Sequence, residues 1–188
     1  PPAFRVGGRL HYLQGEALRH DQTRVVAEIV LRGTRFASDL AELSQCDTSY
    51  AVAGIGRYRI NVYRQRGTLA LAMRAISEQV PTFEQLGLPP VLGRLAELER
   101  GLVLVVGAAG NGKSTTLAAM VAHINRSKRV HVVTIEDPIE FVHTEELACI
   151  SQREIGIDTP DFATALRAAL RQDPDVILVG EIRDEETM

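Results

Sequence analysis

The chain reads LVLVVGAAGNGKSTTLAAMVAHI from residue 102 to residue 124. An unbroken apolar run occupies residues 102–106, which is typical of a strand buried on both faces of a parallel sheet. Residues 107–114 fit the pattern G-x-x-x-x-G-K-S/T. Residues 113–124 carry an apolar stripe at helical spacing, formed by Leu117, Met120, Val121 and Ile124. A strand, a glycine-rich loop and a helix therefore follow one another in the order that a phosphate-binding loop requires.

This loop has the composition that an anion site needs. Small residues let successive backbone N–H groups turn inward around an anion, and the start of the following helix adds partial positive charge. Lys113 can reach the β- and γ-phosphates of a nucleotide, the Ser114 hydroxyl can bind Mg²⁺, and Thr115 can contact the α-phosphate. The alternative is a glycine-rich turn with an exposed lysine, which would not need the flanking strand and helix. The predicted nucleotide-binding residues are Gly107, Ala108, Ala109, Gly110, Asn111, Gly112, Lys113, Ser114 and Thr115.

The rest of the chain after residue 101 alternates apolar strands with helices. Strands are predicted at residues 130–135, 147–151 and 176–179, and a helix at residues 159–171 with Thr159 as its N-cap. Fully apolar strands separated by helices are typical of a parallel sheet covered on both faces. Residues 101–188 are therefore predicted to form an α/β core built on a mostly parallel sheet.

Two predicted strands deliver a carboxylate at their C-terminal ends. Ligands of doubly wound sheets bind at that edge, and the glycine-rich loop leaves from the same edge. Glu181 could therefore polarise the water that attacks a γ-phosphate. Gly180 stands where the usual acidic strand motif of phosphate-loop proteins has a metal-binding aspartate, so Glu136 is the candidate that helps Ser114 hold Mg²⁺. The alternative is that these acids are solvated loop residues.

The part before the core has a different pattern. Residues 1–77 read as short strands around a helix and predict a small mixed α+β domain, and residues 78–100 read as a linker with a short helix. Residues 57–64 and 68–76 alternate apolar and polar side chains and predict a hairpin with a turn at Arg66 and Gly67.

The predicted hairpin register sets two arginines opposite each other. It pairs Ile60 with Met73 on the apolar face and Arg59 with Arg74 on the other face. Two like charges directly opposite are unfavourable unless an anion joins them. Arg59 and Arg74 are therefore candidates to grip nucleotide phosphate, and the equally weighted alternative is that nearby acidic residues neutralise them on a solvated face.

Composition bounds the classes of function. The chain has 188 residues and a net charge of −3, so it has no basic excess that would favour nucleic-acid binding. Cys46 and Cys149 lie far apart, share no metal-ligand spacing and do not indicate a disulfide framework, which favours a reducing compartment. No apolar run reaches transmembrane length. We expect a cytoplasmic protein.

Taken together, these motifs resemble those of the secretion and type IV pilus motor ATPase family, and most those of the PilT-type pilus retraction motors. The most specific stretch is LRQDPDVILVGEIRD at residues 170–184. TIEDPIEFV at residues 134–142 resembles the aspartate box of the family, and GNGKSTTLA at residues 110–118 resembles its phosphate loop. The resemblance covers essentially the whole chain and includes GRYRINV at residues 56–62.

The resemblance implies a PAS-like α+β domain at residues 1–77 joined to a RecA-like core that is incomplete at residue 188. It also implies ATP hydrolysis to ADP with Mg²⁺, Glu181 as general base, Glu136 in support of the metal or water, and phosphate contacts by Arg59 and Arg74. For the complete protein it implies a hexameric ring at the inner membrane, at the pilus base, that works on a platform protein of the pilus and drives twitching motility.

The sequence departs from the family pattern in places. Ala108 and Ala109 stand where the family has Pro-Thr, and Asn111 stands where it has Ser, changes that remove no backbone donor. The histidine box of the family has no counterpart before Met188, so we expect the chain to be a fragment or an incompletely traced copy of a longer protein.

The sequence is also compatible with three other functions. One is a pilus assembly or secretion ATPase of the same family. Another is a regulatory module that binds nucleotide without hydrolysing it, which Gly180 would favour. A small-molecule kinase is the least favoured, because no acceptor-substrate motif is visible.

Overall fold

The computed structural model of the chain describes residues 1–38, 40–77 and 79–182. Residues 183 and 184 of the motif at 170–184, and the predicted end of the core at residue 188, lie outside the described residues. The elements are, in chain order, β1 (Ala3–Val6), β2 (Arg9–Tyr12), α1 (His20–Leu31), β3 (Gln45–Val52), β4 (Gly56–Gln65), β5 (Thr68–Ala75), α2 (Val91–Ala96), α3 (Lys113–Ser127), β6 (His131–Glu136), β7 (Cys149–Glu154), α4 (Phe162–Ala169) and β8 (Val176–Val179).

The N-terminal sheet has the antiparallel order β3-β4-β5. The predicted register is confirmed, since Ile60 pairs with Met73 and Arg59 pairs with Arg74. Arg66 and Gly67 have φ values of 49° and 78°, the positive pair that a tight hairpin turn with the native strand twist requires. Helix α1 packs on this sheet and buries Ala27, Val30 and Leu31 against the Ile60 face of β4.

The second sheet is parallel and has the order β7-β6-β8. Successive side chains of its central strand β6 enter two different cores. Val132 packs with α3, whereas Val133 and Ile135 pack with α4. Because side chains alternate along a strand, the buried apolar residues Val132, Val133 and Ile135 of β6 require a helix on each face of the sheet. The predicted α/β class with a parallel sheet is confirmed.

The strand predicted at residues 102–106 is not formed. The structure gives this stretch no strand, and Leu102 and Val106 are 79% and 85% exposed. A strand forms only when its backbone hydrogen-bonds to a neighbouring strand. Within the described residues, β8 pairs with β6, and no strand lies beside residues 102–106. The prediction of a strand at residues 102–106 was therefore wrong, because an apolar pattern does not supply a pairing partner.

The helix predicted at residues 159–171 begins later than expected. The N-cap of α4 is Asp161, whose Oδ1 accepts from the backbone N of Thr164 at 2.7 Å, and not Thr159. Thr159 is held at the end of β7 instead, since its carbonyl accepts from the N–H of Gly156 at 2.7 Å. The side-chain acceptor nearer to the apolar run therefore starts the helix.

Helix α2 in the predicted linker packs on the core. Ala96 shares a hydrophobic cluster with α3, and the rings of Phe83 and His123 lie 5.4 Å apart. In the part of the chain that the structure describes, no helix combines the length and the apolar character needed to cross a bilayer.

Candidate functional site

The glycine-rich loop has the backbone that its sequence requires. Gly110 and Gly112 have φ values of 80° and 79°, in the left-handed region that residues with a side chain rarely adopt. Gly112 caps α3, so Lys113 is the first residue of the helix. Its Nζ donates to the carbonyl of Ala108 at 3.0 Å, which folds the side chain back over the loop. A cation and the positive end of a helix therefore meet at one point.

A cavity of about 350 Å³ opens beside this loop. Ala109, Gly110, Lys113 and Ser114 form one wall of it. The other predicted loop residues do not line the cavity: Gly107, Ala108, Asn111, Gly112 and Thr115.

The opposite wall comes from the ends of the parallel strands. Glu136 at the end of β6 and Glu181 just after β8 both line the same cavity as Lys113. Parallel strands that end at the same edge of a sheet bring these distant residues together. The predicted convergence of carboxylates on the phosphate loop is present.

Glu136 is half-buried and held by two donors. Its Oε1 accepts from Thr134 Oγ1 at 2.6 Å and from Gln152 Nε2 at 3.2 Å. Burial raises the pKa of Glu136, and these hydrogen bonds act against the rise. Thr134 could have been found from the sequence, because residues two apart on a strand share a face. Gln152 depends on the pairing of β6 with β7 and has no local signal.

The Gln152 amide links three parts of the site. Besides Glu136, its Nε2 donates to the carbonyl of Phe141 at 2.9 Å, and its Oε1 accepts from the backbone N of His143 at 2.9 Å. The His143 side chain lines the cavity, and burial lowers its pKa to about 4. His143 is therefore a neutral imidazole at pH 7, and sequence reasoning missed both residues.

The two candidate arginines lie differently. Arg59 lines the cavity, with Nε at 3.9 Å from an Asp47 oxygen and Nη1 at 4.0 Å from a Glu140 oxygen. Arg74 is exposed and does not line the cavity, although it pairs with Arg59 across the hairpin. Acidic neighbours and the phosphate site thus both lie near Arg59, and the role of each arginine on phosphate stays a prediction.

Gly180 allows β8 to end close against β6. A Cβ on Gly180 would lie 3.2 Å from the carbonyl oxygen of Ile135 and 3.4 Å from the Cα of Glu136. The N–H of Gly180 donates to that same Ile135 oxygen at 2.8 Å. An aspartate at this position would therefore press on the backbone of Ile135, which would have to give by a few tenths of an ångström, and a glycine avoids this contact.

We expect Gly180→Ala to destabilise the protein by about 1–3 kcal/mol, because the added methyl overpacks the contact with β6. Thermal or denaturant unfolding measures the change. Gly93→Ala is the matched control, since a Cβ there meets its nearest atom at an ordinary 3.6 Å and Gly93 lies in α2. That control should gain about 0.5–1 kcal/mol from the helical backbone. Equal effects of the two variants would contradict the packing account.

The oxygen donors at the cavity suit a hard cation. Mg²⁺ is usually held by one or two carboxylates together with substrate phosphates and water, rather than by a complete protein cage. Ser114 and Glu136, which line the same cavity, supply a hydroxyl and a carboxylate for such a site. Across residues 1–38, 40–77 and 79–182, no cluster of three or more His, Cys, Asp or Glu side chains could hold a metal by itself. The donor set fits Mg²⁺ bound with a nucleotide.

The fold and the site define a phosphate-loop protein of the α/β class. The chain belongs to the type II/IV secretion system protein family, whose family model matches residues 64–188. The family resemblance inferred from the motifs is confirmed.

Two curated relatives come from Pseudomonas aeruginosa. The type IV pilus ATPase PilU is 42% identical over 188 residues, which is 100% of this chain and 49% of that protein. The type IV pilus retraction ATPase PilT is 43% identical over 188 residues, which is 100% of this chain and 54% of that protein. A crystal structure of the pilus retraction motor PilT with bound ADP has a TM-score of 0.90 and 45% identity, and the match covers 100% of this chain and 55% of that one. The chain thus spans about half the length of the relatives that it matches.

Proposed function

We propose that the protein to which this chain belongs hydrolyses ATP to ADP and phosphate and uses the energy to drive pilus retraction. The observation that carries the proposal is the meeting of Lys113 and Ser114 with Glu136 and Glu181 around one cavity. Relatives named as a pilus retraction ATPase and a retraction motor with ADP support the reaction and the process.

The residues of the cavity divide the reaction among them. The loop N–H groups and Lys113 bind the β- and γ-phosphates. Glu181 orients a water molecule and accepts its proton as the water oxygen bonds to the γ-phosphorus, and the bond from that phosphorus to the ADP oxygen breaks. When bound through Ser114 and Glu136, Mg²⁺ neutralises charge on the phosphate oxygens. Arg59 approaches the same charge from β4, and Arg74 does so only if the hairpin moves toward the cavity.

The architecture of the complete protein is part of the proposal. It consists of a PAS-like domain at residues 1–77, a linker at residues 78–100 and a RecA-like core from residue 101. This division suits the cavity, which is lined by Arg59 from the first part and by Lys113, Glu136 and Glu181 from the last. We propose a hexameric ring, peripheral to the inner membrane, that acts on a pilus platform protein and powers twitching motility. No nucleic acid takes part.

A pilus assembly or secretion ATPase is the second candidate, favoured by a family that spans type II and type IV secretion. The two candidates differ in the phenotype of cells that lack the protein. Loss of a retraction motor should leave pili on the surface and stop surface motility, whereas loss of an assembly motor should remove the pili. Electron microscopy of the cells and a motility assay separate these outcomes.

The enzymatic part is tested by phosphate release from the full-length protein with ATP and Mg²⁺. We expect steady turnover that stops when Mg²⁺ is chelated. Tight ATP binding without turnover would instead favour the regulatory module that binds nucleotide without hydrolysing it. Gly180, which leaves the position without a carboxylate, is the residue that favours that module, and the turnover measurement decides between the two.

A further inference from the structure

A buried ion pair joins the N-terminal sheet to the parallel sheet. Arg57 on β4 donates from Nη2 to Glu154 Oε2 at 2.8 Å and to Ser49 Oγ at 2.7 Å. The Glu154 side chain is 1% exposed and the Arg57 side chain 26% exposed. A carboxylate removed from water to this degree needs its partner, so this contact ties the two sheets at a fixed point.

The same carboxylate also holds the rim of the cavity. Glu154 Oε2 accepts from the backbone N of Ile139 at 3.1 Å, in the segment that follows Glu136. The residue after it in the chain, Ile155, donates its N–H to the carbonyl of Glu136 at 2.9 Å. Glu154, at the end of β7, therefore contacts both strand β4, through Arg57, and the segment at the cavity rim, through Ile139.

Among the residues that the structure describes, Arg59 has no comparable anchor of its own. It lies two residues after Arg57, so both side chains share a face of β4. Its two ion pairs are 3.9 and 4.0 Å long, with carboxylates that are 51% and 45% exposed. Long pairs between exposed groups contribute little and do not fix a side chain, whereas the short buried pair of Arg57 fixes the strand.

We propose that Arg57 and Glu154 are positioning residues that set the place of Arg59 at the phosphate-loop cavity. The inference rests on the proposed function, in which Arg59 acts on nucleotide phosphate. Arg57 itself does not touch the nucleotide and acts through the strand.

The first test compares the ATP turnover of full-length Arg57→Met, Arg59→Met and the double variant. We expect each single variant to lose at least about tenfold in kcat, and the double variant to be no slower than Arg59→Met within about twofold, because a positioning residue has nothing left to position. Arg57→Lys should restore most of the rate, and Arg24→Met, which removes an exposed pair on α1, should leave it unchanged. Losses that multiply, or a wild-type rate for Arg57→Met beside a slow Arg59→Met, would overturn the proposal.

A second test does not depend on activity. Spin labels at Gln65→Cys on β4 and Arg126→Cys on α3, both exposed, report the distance between the N-terminal sheet and the helix that packs on the parallel sheet. Double electron–electron resonance measures this distance without nucleotide. Cys149 and other exposed cysteines of the full-length protein are replaced by serine, and Cys46 is buried with a raised pKa and stays unlabelled.

Arg57→Met and Glu154→Gln should lose the single narrow distance of the wild type, while Arg59→Met and Arg57→Lys keep it. The same narrow distance distribution in Arg57→Met as in the wild type would overturn the proposal that Arg57 and Glu154 tie the two sheets together. A wild type that does not hydrolyse ATP would instead contradict the proposed function. The distances would still show whether Arg57 and Glu154 tie the two sheets together.

Discussion

Lys113→Ala is expected to weaken ATP binding by roughly 100-fold. Hydrogen bonds to charged groups contribute about 1.5–3 kcal/mol, and about 1.4 kcal/mol corresponds to a tenfold change in affinity. Lys113 begins α3 and lines the cavity, so its ammonium group adds to the helix N-terminus at the same place. Calorimetric titration of the full-length protein with ATP measures the loss.

The control for this variant is a lysine at the other end of the same helix. Lys128 caps the C-terminal end of α3 and donates to the carbonyl of Glu97, away from the cavity. Lys128→Ala should therefore keep the ATP affinity of the wild type. If Lys113→Ala bound ATP as tightly as the wild type, the assignment of residues 107–114 to phosphate would be wrong.

The phosphate loop was predictable because its determinants are local. Gly110 and Gly112 adopt a backbone that their lack of a side chain permits, and the apolar stripe of α3 follows at once in the chain. The hairpin register was predictable for a similar reason. A two-residue turn and strict alternation leave one pairing that keeps Ile60 and Met73 on the same face.

The strand at residues 102–106 shows where local patterns fail. Its apolar residues satisfy every local rule for a buried strand, yet Leu102 and Val106 are exposed. Strand formation depends on hydrogen bonds to a neighbour, which a local window does not contain. The apolar pattern indicates a segment suited to a buried strand, but only the fold determines whether a neighbouring strand is there to pair with it.

The acidic residues of the candidate site could be predicted from the sequence, whereas the residues that hold them and the cavity rim in place could not. Glu136 and Glu181 follow apolar strands, so the rule that ligands bind at strand ends located them. Gln152 and Glu154 act through contacts that span different elements, and Glu154 joins Arg57 across 97 residues of sequence. A polar residue near the end of a strand gives no local sign of which backbone it will meet.

Glu181→Gln is expected to slow ATP turnover by about 100- to 10,000-fold, the range that general acid–base catalysis contributes. Glutamine keeps the size of the side chain and removes the oxygen that accepts the proton from water. ATP affinity should stay near that of the wild type, because Lys113 and the loop amides are unchanged. Phosphate release under saturating ATP and Mg²⁺ measures the rate, and titration measures the affinity.

Two variants make this test specific to Glu181. Glu146→Gln alters an exposed carboxylate away from the cavity and should leave turnover unchanged. Glu136→Gln should instead raise the Mg²⁺ concentration that turnover requires, because Glu136 lines the cavity and is the carboxylate that we propose to help hold the metal. The two roles would have to be exchanged if Glu181→Gln turned over ATP at the wild-type rate and Glu136→Gln showed the large loss at every Mg²⁺ concentration. Glu136, whose pKa partial burial raises, would then be the base, and Glu181 would help to hold the metal.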